Sequence, residues 1–495
     1  AVAVLARLPF LAADPSKDEA GFLMVGQQWH AAGKSLYGNY WVDRPPLLIT
    51  IFRAADQLGG LLPLRLIGCV ATVLIVLGAA RVARRLGGPG AAAWAALTAA
   101  ALCVSPLLGG QSVNGELLAA PFVVGGIAAV LITVDHPTEG RSALAAGLAG
   151  AATMAAVLVK QNMADVAVFA GVVLLLAWWR GEITSPRLIR SVLGYVSGAV
   201  LCLGVVTAWT MAHGTSLVGV FDAMYPFRID AVHVMAASNR QVADARLWVL
   251  LTSWAISGGA VIMGVLTWAL LSSRLRGAAV WGLIATVLFD AVSIALGGSY
   301  WSHYLIQLVV PTAVISGLLV ARRAPAARTV LTSAALAAAI ALGVALTGTH
   351  TSIGSSVGQA VGRVAGPRDT IVTAWGHADL TRASGLGSPY PYLWSLPART
   401  LDPRFAALDE LLSGPSAPTW FVTWSSVHSW VGHPDRVVIA RLLAARYHPV
   451  AHLDGRTVYL RRGVQRATPQ LSRATARHPN SPDGLSSATS PKETP

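Results

Sequence analysis

Charge is scarce in this chain. Only 12% of its 495 residues are Asp, Glu, Lys or Arg, about half of the quarter usual in soluble domains, which excludes a soluble globule of this length. Cysteine is scarcer still. Cys69, Cys103 and Cys202 are the only three, an odd number inside apolar stretches without Cys-x-x-Cys spacing, and they offer neither a disulfide framework nor a metal site. The sequence also lacks an internal repeat, a P-loop, a dinucleotide-binding glycine fingerprint and zinc-type spacing. Acidic residues number 23 against 37 Lys and Arg, a formal net charge of +14. Loop arginines account for most of that excess, so it implies no nucleic-acid partner, whereas attraction to anionic membrane lipids fits.

Apolar residues fill the space that charge leaves. At 54% hydrophobic residues and a mean hydropathy of +0.58, the chain reads as a polytopic α-helical membrane protein. Crossing about 30 Å of hydrocarbon takes roughly 17–25 residues, and such windows lie near 62–82, 90–108, 117–134, 142–159, 162–179, 188–212, 247–271, 278–296, 304–321 and 329–347. The apolar segment Ala1–Ala13, which starts without a Met or a basic lead-in, reads as a clipped first helix rather than a signal peptide and brings the count to about eleven. Arg81, Arg84 and Arg85 follow the second span, Arg141 the fourth, Arg180, Arg187 and Arg190 the sixth, Arg274 and Arg276 the eighth, and Arg322, Arg323 and Arg328 the tenth. Every second loop is therefore basic. The positive-inside rule places those loops in the cytoplasm and the intervening ones, with the C-terminal region, outside.

Polar side chains collect in the outward loops. The loop over 14–61 opens on Asp18-Glu19; two carboxylates where a first span meets water are costly beside lipid, which marks them as functional, with an acidic helix N-terminus as the plainer reading. Two short amphipathic helices are expected here, lying on the membrane with Trp29, Tyr37, Tyr40 and Trp41 at headgroup depth. A second outward loop, 213–246, carries Asp222, Tyr225, Arg228, Asp230, His233, Arg240 and Asp244. Shorter turns hold Gln111, Asn114 and Glu116, then Lys160, Gln161 and Asn162, then Tyr300 to Tyr304.

The organisation expected is a membrane domain over 1–348, a small extracytoplasmic α/β domain over 366–462, and a Ser-, Thr- and Pro-rich tail over 463–495 that should be disordered. Strand-like runs Thr370–Trp375 and Thr419–Trp424, helical stretches Arg404–Leu412 and Val437–Tyr447, and an Asp454-Gly455 hairpin signal carry the α/β reading.

Five features stand in order on the outward side: Asp18-Glu19; Arg44-Pro45-Pro46-Leu47 with Arg65-Leu66 downstream; Glu116 opening the fourth span; Lys160 after the fifth; and Ser302-His303-Tyr304 opening the tenth, ahead of Pro311. In these the chain resembles the polyprenyl-phosphate-dependent glycosyltransferases of the GT-C class, especially bacterial relatives of protein O-mannosyltransferases and of the lipid A aminoarabinose transferase. The resemblance covers about residues 1–320. It departs from the pattern at Glu116, where relatives often have Asp, and at Gln161-Asn162, where they often have Gly-Pro.

The resemblance implies a GT-C fold and transfer of a sugar from a polyprenyl-phosphate donor to an extracytoplasmic acceptor that is a protein, a lipid or a cell-wall glycan. It implies no required cofactor, although some members of the wider class use a divalent cation. A phosphate leaving group lets one base suffice. Asp18 is the candidate base, and Glu19, pointing elsewhere on the helix, orients a basic partner or a sugar hydroxyl. Arg44, Lys160, His303 and Tyr304 are the candidates for holding the donor phosphate, Glu116 and Arg228 are further site residues, and Arg240 is a reserve cation. Each has a plainer reading: Arg44 snorkels, Lys160 is an outward cap, His303 belongs to an aromatic belt, and Glu116 bonds a helix terminus. Asp290, inside the ninth span, reads as structurally partnered. A multi-span transporter or flippase of lipid-linked sugars is the alternative function, and a non-catalytic scaffold a third.

Overall fold

A computed structural model describes residues 1–135, 138–236, 240–272, 276–322, 327–347, 352–424 and 436–472. The chain is mostly helical. Among the described residues six helices are long and apolar enough to cross a membrane, or seven when the pair Gln241–Ile256 and Gly259–Leu271, bent by 62°, counts as one span. Leu61–Val104 is a 44-residue run that would extend about 66 Å if straight, twice the hydrocarbon thickness. It breaks at Gly88, whose φ of 81° leaves the helical region just before Pro89, and so separates the apolar windows 62–82 and 90–108.

The N-terminal segment does not form a spanning-length helix within this chain. Val2–Leu5 is a single turn and Leu8–Phe10 a 3-10 turn, because Pro9 removes a backbone donor and Arg7 turns inward. The Arg7 guanidinium, 3% exposed, donates to the carbonyl oxygens of Gly110 and, at 3.3 Å, Ser112.

The first loop differs from expectation as well. Its two helices are present, Lys17–Gln27 and Pro46–Gln57, but residues 19–26 of the first are buried within the protein. Trp29, Tyr37 and Tyr40 are at most 2% exposed rather than set among lipid headgroups. Trp29 Nε1 donates to Thr215 Oγ1 at 2.8 Å and the Tyr37 hydroxyl to the Arg44 carbonyl at 2.7 Å; a polar edge satisfied inside the protein needs no wet interface. Trp41, half-buried, packs on Phe227 with ring centroids 4.6 Å apart.

Two compact units divide the chain: Ala1–Val232 with Arg246–His350, and His233–Ala245 with Thr351–Pro495. Residues 233–245 thus group with the C-terminal unit, although by sequence they belong to an outward loop of the membrane domain. The second unit holds a four-stranded sheet of β1 (Ile371–Ala374), β2 (Trp420–Thr423), β3 (Tyr447–Leu453) and β4 (Arg456–Arg461) in the order β1-β2-β4-β3. The first pair is parallel and the others antiparallel. Asp454 and Gly455, with φ of 46° and 75°, make the tight turn that matches the right-handed twist of β3 and β4. Val372, Phe421, Tyr390, Phe405 and Leu408 lead the core on one side; Ile371, Trp420, Val422 and Val458 lead it on the other.

The segment expected to be a disordered tail begins ordered. Arg466 grips Asp369 through Nε to Oδ2 at 2.9 Å and Nη2 to Oδ1 at 2.8 Å, while Trp420 Nε1 and the Gly366 amide donate to Oδ2 at 3.0 and 2.8 Å. Residues 473–495 lie outside the described residues. Burial alone would raise the Asp369 carboxyl, yet these hydrogen bonds, Arg466 foremost, hold it below the usual carboxylate range. A carboxylate depressed on folding contributes stability above its unfolded value of about 3.9 and loses it as pH falls through the folded one. Asp369→Asn is therefore expected to destabilise this unit by about 1.5–3 kcal/mol at neutral pH. In thermal melts the gap to wild type should narrow on acidification below pH ~4; a gap constant with pH would contradict the assignment.

Candidate functional site

Ser16 starts the helix that carries the acidic pair. Its Oγ accepts from the Glu19 amide at 3.2 Å and its own amide donates to Glu19 Oε2 at 2.9 Å, a reciprocal capping box that consumes part of Glu19. Arg65 takes the rest. Its Nε and Nη2 reach the Glu19 carboxylate at 3.3 and 3.1 Å, and the Val113 amide donates to Oε1 at 2.9 Å. Glu19 is fully buried with both oxygens engaged, so its geometry is that of an anchor between the first loop and Leu61–Val104. Asp18, one residue earlier and so about 100° around the helix, is half-buried. Its charge acts on Arg44, His303 and Tyr304.

The second element is Asp43-Arg44-Pro45-Pro46. Pro45 caps Pro46–Gln57 in an extended conformation and Pro46 occupies its first turn, where a missing N–H costs nothing; a residue before proline is itself restricted, which stiffens the backbone at Arg44. Asp43, 7% exposed, bridges two cations: Arg44 Nη1 at 2.9 Å and Arg228 Nη2 at 2.7 Å. Burial alone would lower the Arg44 guanidinium, but Asp43 and Asp18 more than offset it and its value is raised. Nothing in the spacing of the sequence pointed to Asp43; its only signal was an acid directly before the basic-Pro-Pro step.

Glu116 and Lys160 supply the third element. Glu116 lies in the first turn of Gly115–Asp135, whose start is capped by Asn114 Oδ1 accepting from the Leu117 amide at 2.9 Å. Lys160 leaves the end of Glu139–Val159 in an extended conformation. Lys160 Nζ donates to Glu116 Oε1 and stands 4.6 Å from the Tyr304 ring centroid. Burial first, then Arg44 and Arg228, hold the Lys160 ammonium below its ordinary value against the opposing pull of Glu116. His303 and Tyr304 sit on a 3-10 stretch, Ser302–Leu308, that precedes Val309–Ala321. His303 Nε2 lies 4.0 Å from Glu116 Oε1. Gly109, at φ 65°, lets His303 approach: an added Cβ would lie 3.1 Å from that of His303. Glu116 Oε2 is buried and has no hydrogen-bond partner among the described residues.

The fold thus brings together Asp18, Arg44, Glu116, Lys160, Arg228, His303 and Tyr304, in a network of direct contacts and mutual electrostatic influence. Glu19 stays outside it as the partner of Arg65, and Arg240 has no described side chain. Arg246 was missed. Its guanidinium covers the Trp301 ring at 4.1 Å and feels Tyr304, a contact that only the tertiary fold creates. Asp290 is fully buried against Asp165, with Gln307 Nε2 donating to its carbonyl at 3.1 Å. Among the described residues no three His, Cys, Asp or Glu side chains gather as a metal site requires.

No family model and no curated protein matches the sequence. Solved structures do match. ArnT from Cupriavidus metallidurans, a lipid A aminoarabinose transferase solved bound to undecaprenyl phosphate, matches with a TM-score of 0.62 at 17% identity, over 92% of this chain and 96% of that one. This chain has the GT-C fold. The Archaeoglobus fulgidus oligosaccharyltransferase in its apo form, a second GT-C protein, matches with a TM-score of 0.51 at 12% identity, over 85% of this chain and 69% of that one. Within this GT-C fold the residues that suggested the class from sequence stand at the ends of different elements, so their convergence is a product of the fold.

Proposed function

We propose that this protein is an integral membrane glycosyltransferase that moves a sugar from a polyprenyl-phosphate donor to an extracytoplasmic acceptor: a protein, a lipid or a cell-wall glycan. The observation that carries the proposal is the gathering of Arg44, Lys160, Arg228 and His303 around Asp43 and Glu116, with Asp18 in the same field. Cations held by fixed carboxylates are preorganised for a phosphate. The ArnT neighbour, of the same fold, was solved with undecaprenyl phosphate bound, which supports a lipid phosphate as the ligand here.

In the reaction proposed, Asp18 takes the proton of an acceptor hydroxyl as its oxygen attacks the anomeric carbon. The carbon–oxygen bond to phosphate breaks, and the lipid phosphate leaves with the electron pair, its negative charge met by Arg44, Lys160, Arg228 and His303, with Tyr304 beside them. Glu116 positions Lys160 through Oε1 and offers Oε2 to a sugar hydroxyl. No step is assigned to a divalent cation. Hexose and pentose donors fit this chemistry equally.

Arg44→Ala and Lys160→Ala should each weaken binding of a polyprenyl-phosphate donor about tenfold or more, the worth of one charge-assisted contact. Substituting Arg276, on a basic loop, should leave binding unchanged. Equal donor affinity in all three variants would contradict the proposed phosphate site.

About eleven spans in the plasma membrane, with the Asp18 loop and residues 352–472 outside, complete the reading. The alternating arginine loops support it. A cysteine introduced at exposed Glu410 should react with an impermeant maleimide on intact cells, and one at Arg276 should not; the reverse would overturn the orientation.

The bent pair Gln241–Ile256 and Gly259–Leu271 is a discontinuity of the kind transporters use, and it favours flipping of lipid-linked sugars as the second reading. Against that, residues 252–262 around the bend contain no ionisable side chain.

A further inference from the structure

Far from the Asp18 network, the membrane unit carries a second group of cations, Arg81, Arg84 and Arg85. Leu61–Val104 and Gly115–Asp135 both start beside that network, at Arg65 and Glu116, and run the same way as far as a joint at Arg85 and Asp135, where Arg85 Nε donates to Asp135 Oδ2 at 2.8 Å. Arg65 to Arg85 is about 30 Å by helix rise, one hydrocarbon thickness. The joint therefore belongs to the opposite membrane surface. Between the two helices lies a half-open, largely apolar cavity of about 190 Å³ whose lining includes Arg81, Arg84 and Arg85 beside Val82, Leu131 and Ile132. That volume holds roughly six waters' worth of space, enough for a phosphate and its first carbons but not for a whole lipid.

Three arginines face one acid. Arg85 has Asp135, whereas Arg81 and Arg84 are exposed and have no ion-pair partner among the described residues. Below them runs a track for a hydrocarbon chain. Leu66, Val70, Leu74 and Leu77 are 48–62% exposed and recur at the three- and four-residue spacing of one helix face, which ends at Arg81. From Leu66 to Leu77 this stripe rises about 17 Å, enough for the ~15 Å of hydrocarbon in one leaflet. Exposed arginines bordering an apolar cavity, at the end of an apolar stripe, fit a molecule with an anionic head and an acyl tail.

We infer that this cavity binds the phosphate headgroup of one anionic phospholipid from the leaflet opposite the Asp18 network. Arg81 and Arg84 hold the phosphate oxygens, Arg85 keeps the two helix ends together through Asp135, and one tail lies along Leu77, Leu74 and Val70. This differs from diffuse attraction of basic loops to a charged surface: it requires one lipid per chain, held by particular arginines.

The test is binding of dioleoyl phosphatidylglycerol to the purified full-length protein in zwitterionic detergent, read as discrete adducts by native mass spectrometry. Wild type should bind a single saturable equivalent. Arg81→Ala/Arg84→Ala should weaken it roughly thirtyfold, the factor for two charges near a membrane surface. Arg180→Ala/Arg190→Ala, on another basic loop, should leave it unchanged. Retained binding in the cavity variant, an equal loss in both variants, equal binding of phosphatidylcholine, or full displacement by inorganic phosphate would each overturn the inference.

Discussion

Asp18→Asn is expected to reduce sugar transfer about 10²–10⁴-fold, the usual worth of a general base, while expression and binding of the lipid donor stay near wild type. The amide keeps the size of the side chain and its capacity to accept a hydrogen bond, so the loss isolates proton transfer. It leaves the capping box intact, because that motif is made by Ser16 and Glu19. The influence of Asp18 on Arg44 and His303 predicts a small secondary change in donor affinity, far below the change in rate. Turnover by purified protein at saturating donor is the measurement. Near-wild-type turnover in the Asn variant would remove Asp18 from the chemistry.

Arg65→Ala should act on the fold rather than on the reaction, at a cost of about 3–5 kcal/mol. The substitution leaves the carboxylate of Glu19 buried with only the Ser16 and Val113 amides for partners, and strips the carbonyls of Phe10, Ala13 and Asp14 of the same guanidinium. Loss of folded protein and a lower melting temperature are expected, with unaltered donor affinity in whatever folded fraction is recovered. A variant that melts like wild type but loses donor binding would move the Glu19 and Arg65 pair into the substrate site.

The contrast between these neighbours shows what a sequence can carry. In a chain so poor in charge, an ionisable residue off the basic loops carries information because polar groups are costly at a membrane boundary, and the resemblance to the GT-C class is what singled out Asp18, Arg44, Glu116, Lys160 and His303 as a set. The partition of roles between Asp18 and Glu19 was only half legible. Helical geometry separates adjacent side chains, but that Glu19 would be consumed by Arg65 and Val113 depends on contacts across distant segments. Asp43 is a sharper case. It bridges Arg44, its neighbour, and Arg228, on the helix Pro226–Ala236, and only the first of those contacts is local.

Aromatic residues misled for a physical reason. Trp29, Tyr37 and Tyr40 are amphipathic, and composition alone does not separate a side chain wet by headgroups from one whose polar atom is satisfied by Thr215 or by the Arg44 carbonyl. The hairpin at Asp454-Gly455 was legible because its turn chemistry is entirely local.

Transfer of label from a radiolabelled polyprenyl-phosphate sugar is the most direct test of the account. Membranes containing the wild-type protein should move the label from lipid to an extracytoplasmic acceptor and release free polyprenyl phosphate in equal amount, and membranes containing Asp18→Asn should not. Label that crosses the bilayer while still attached to its lipid, with no polyprenyl phosphate released, would contradict a transferase and identify a flippase.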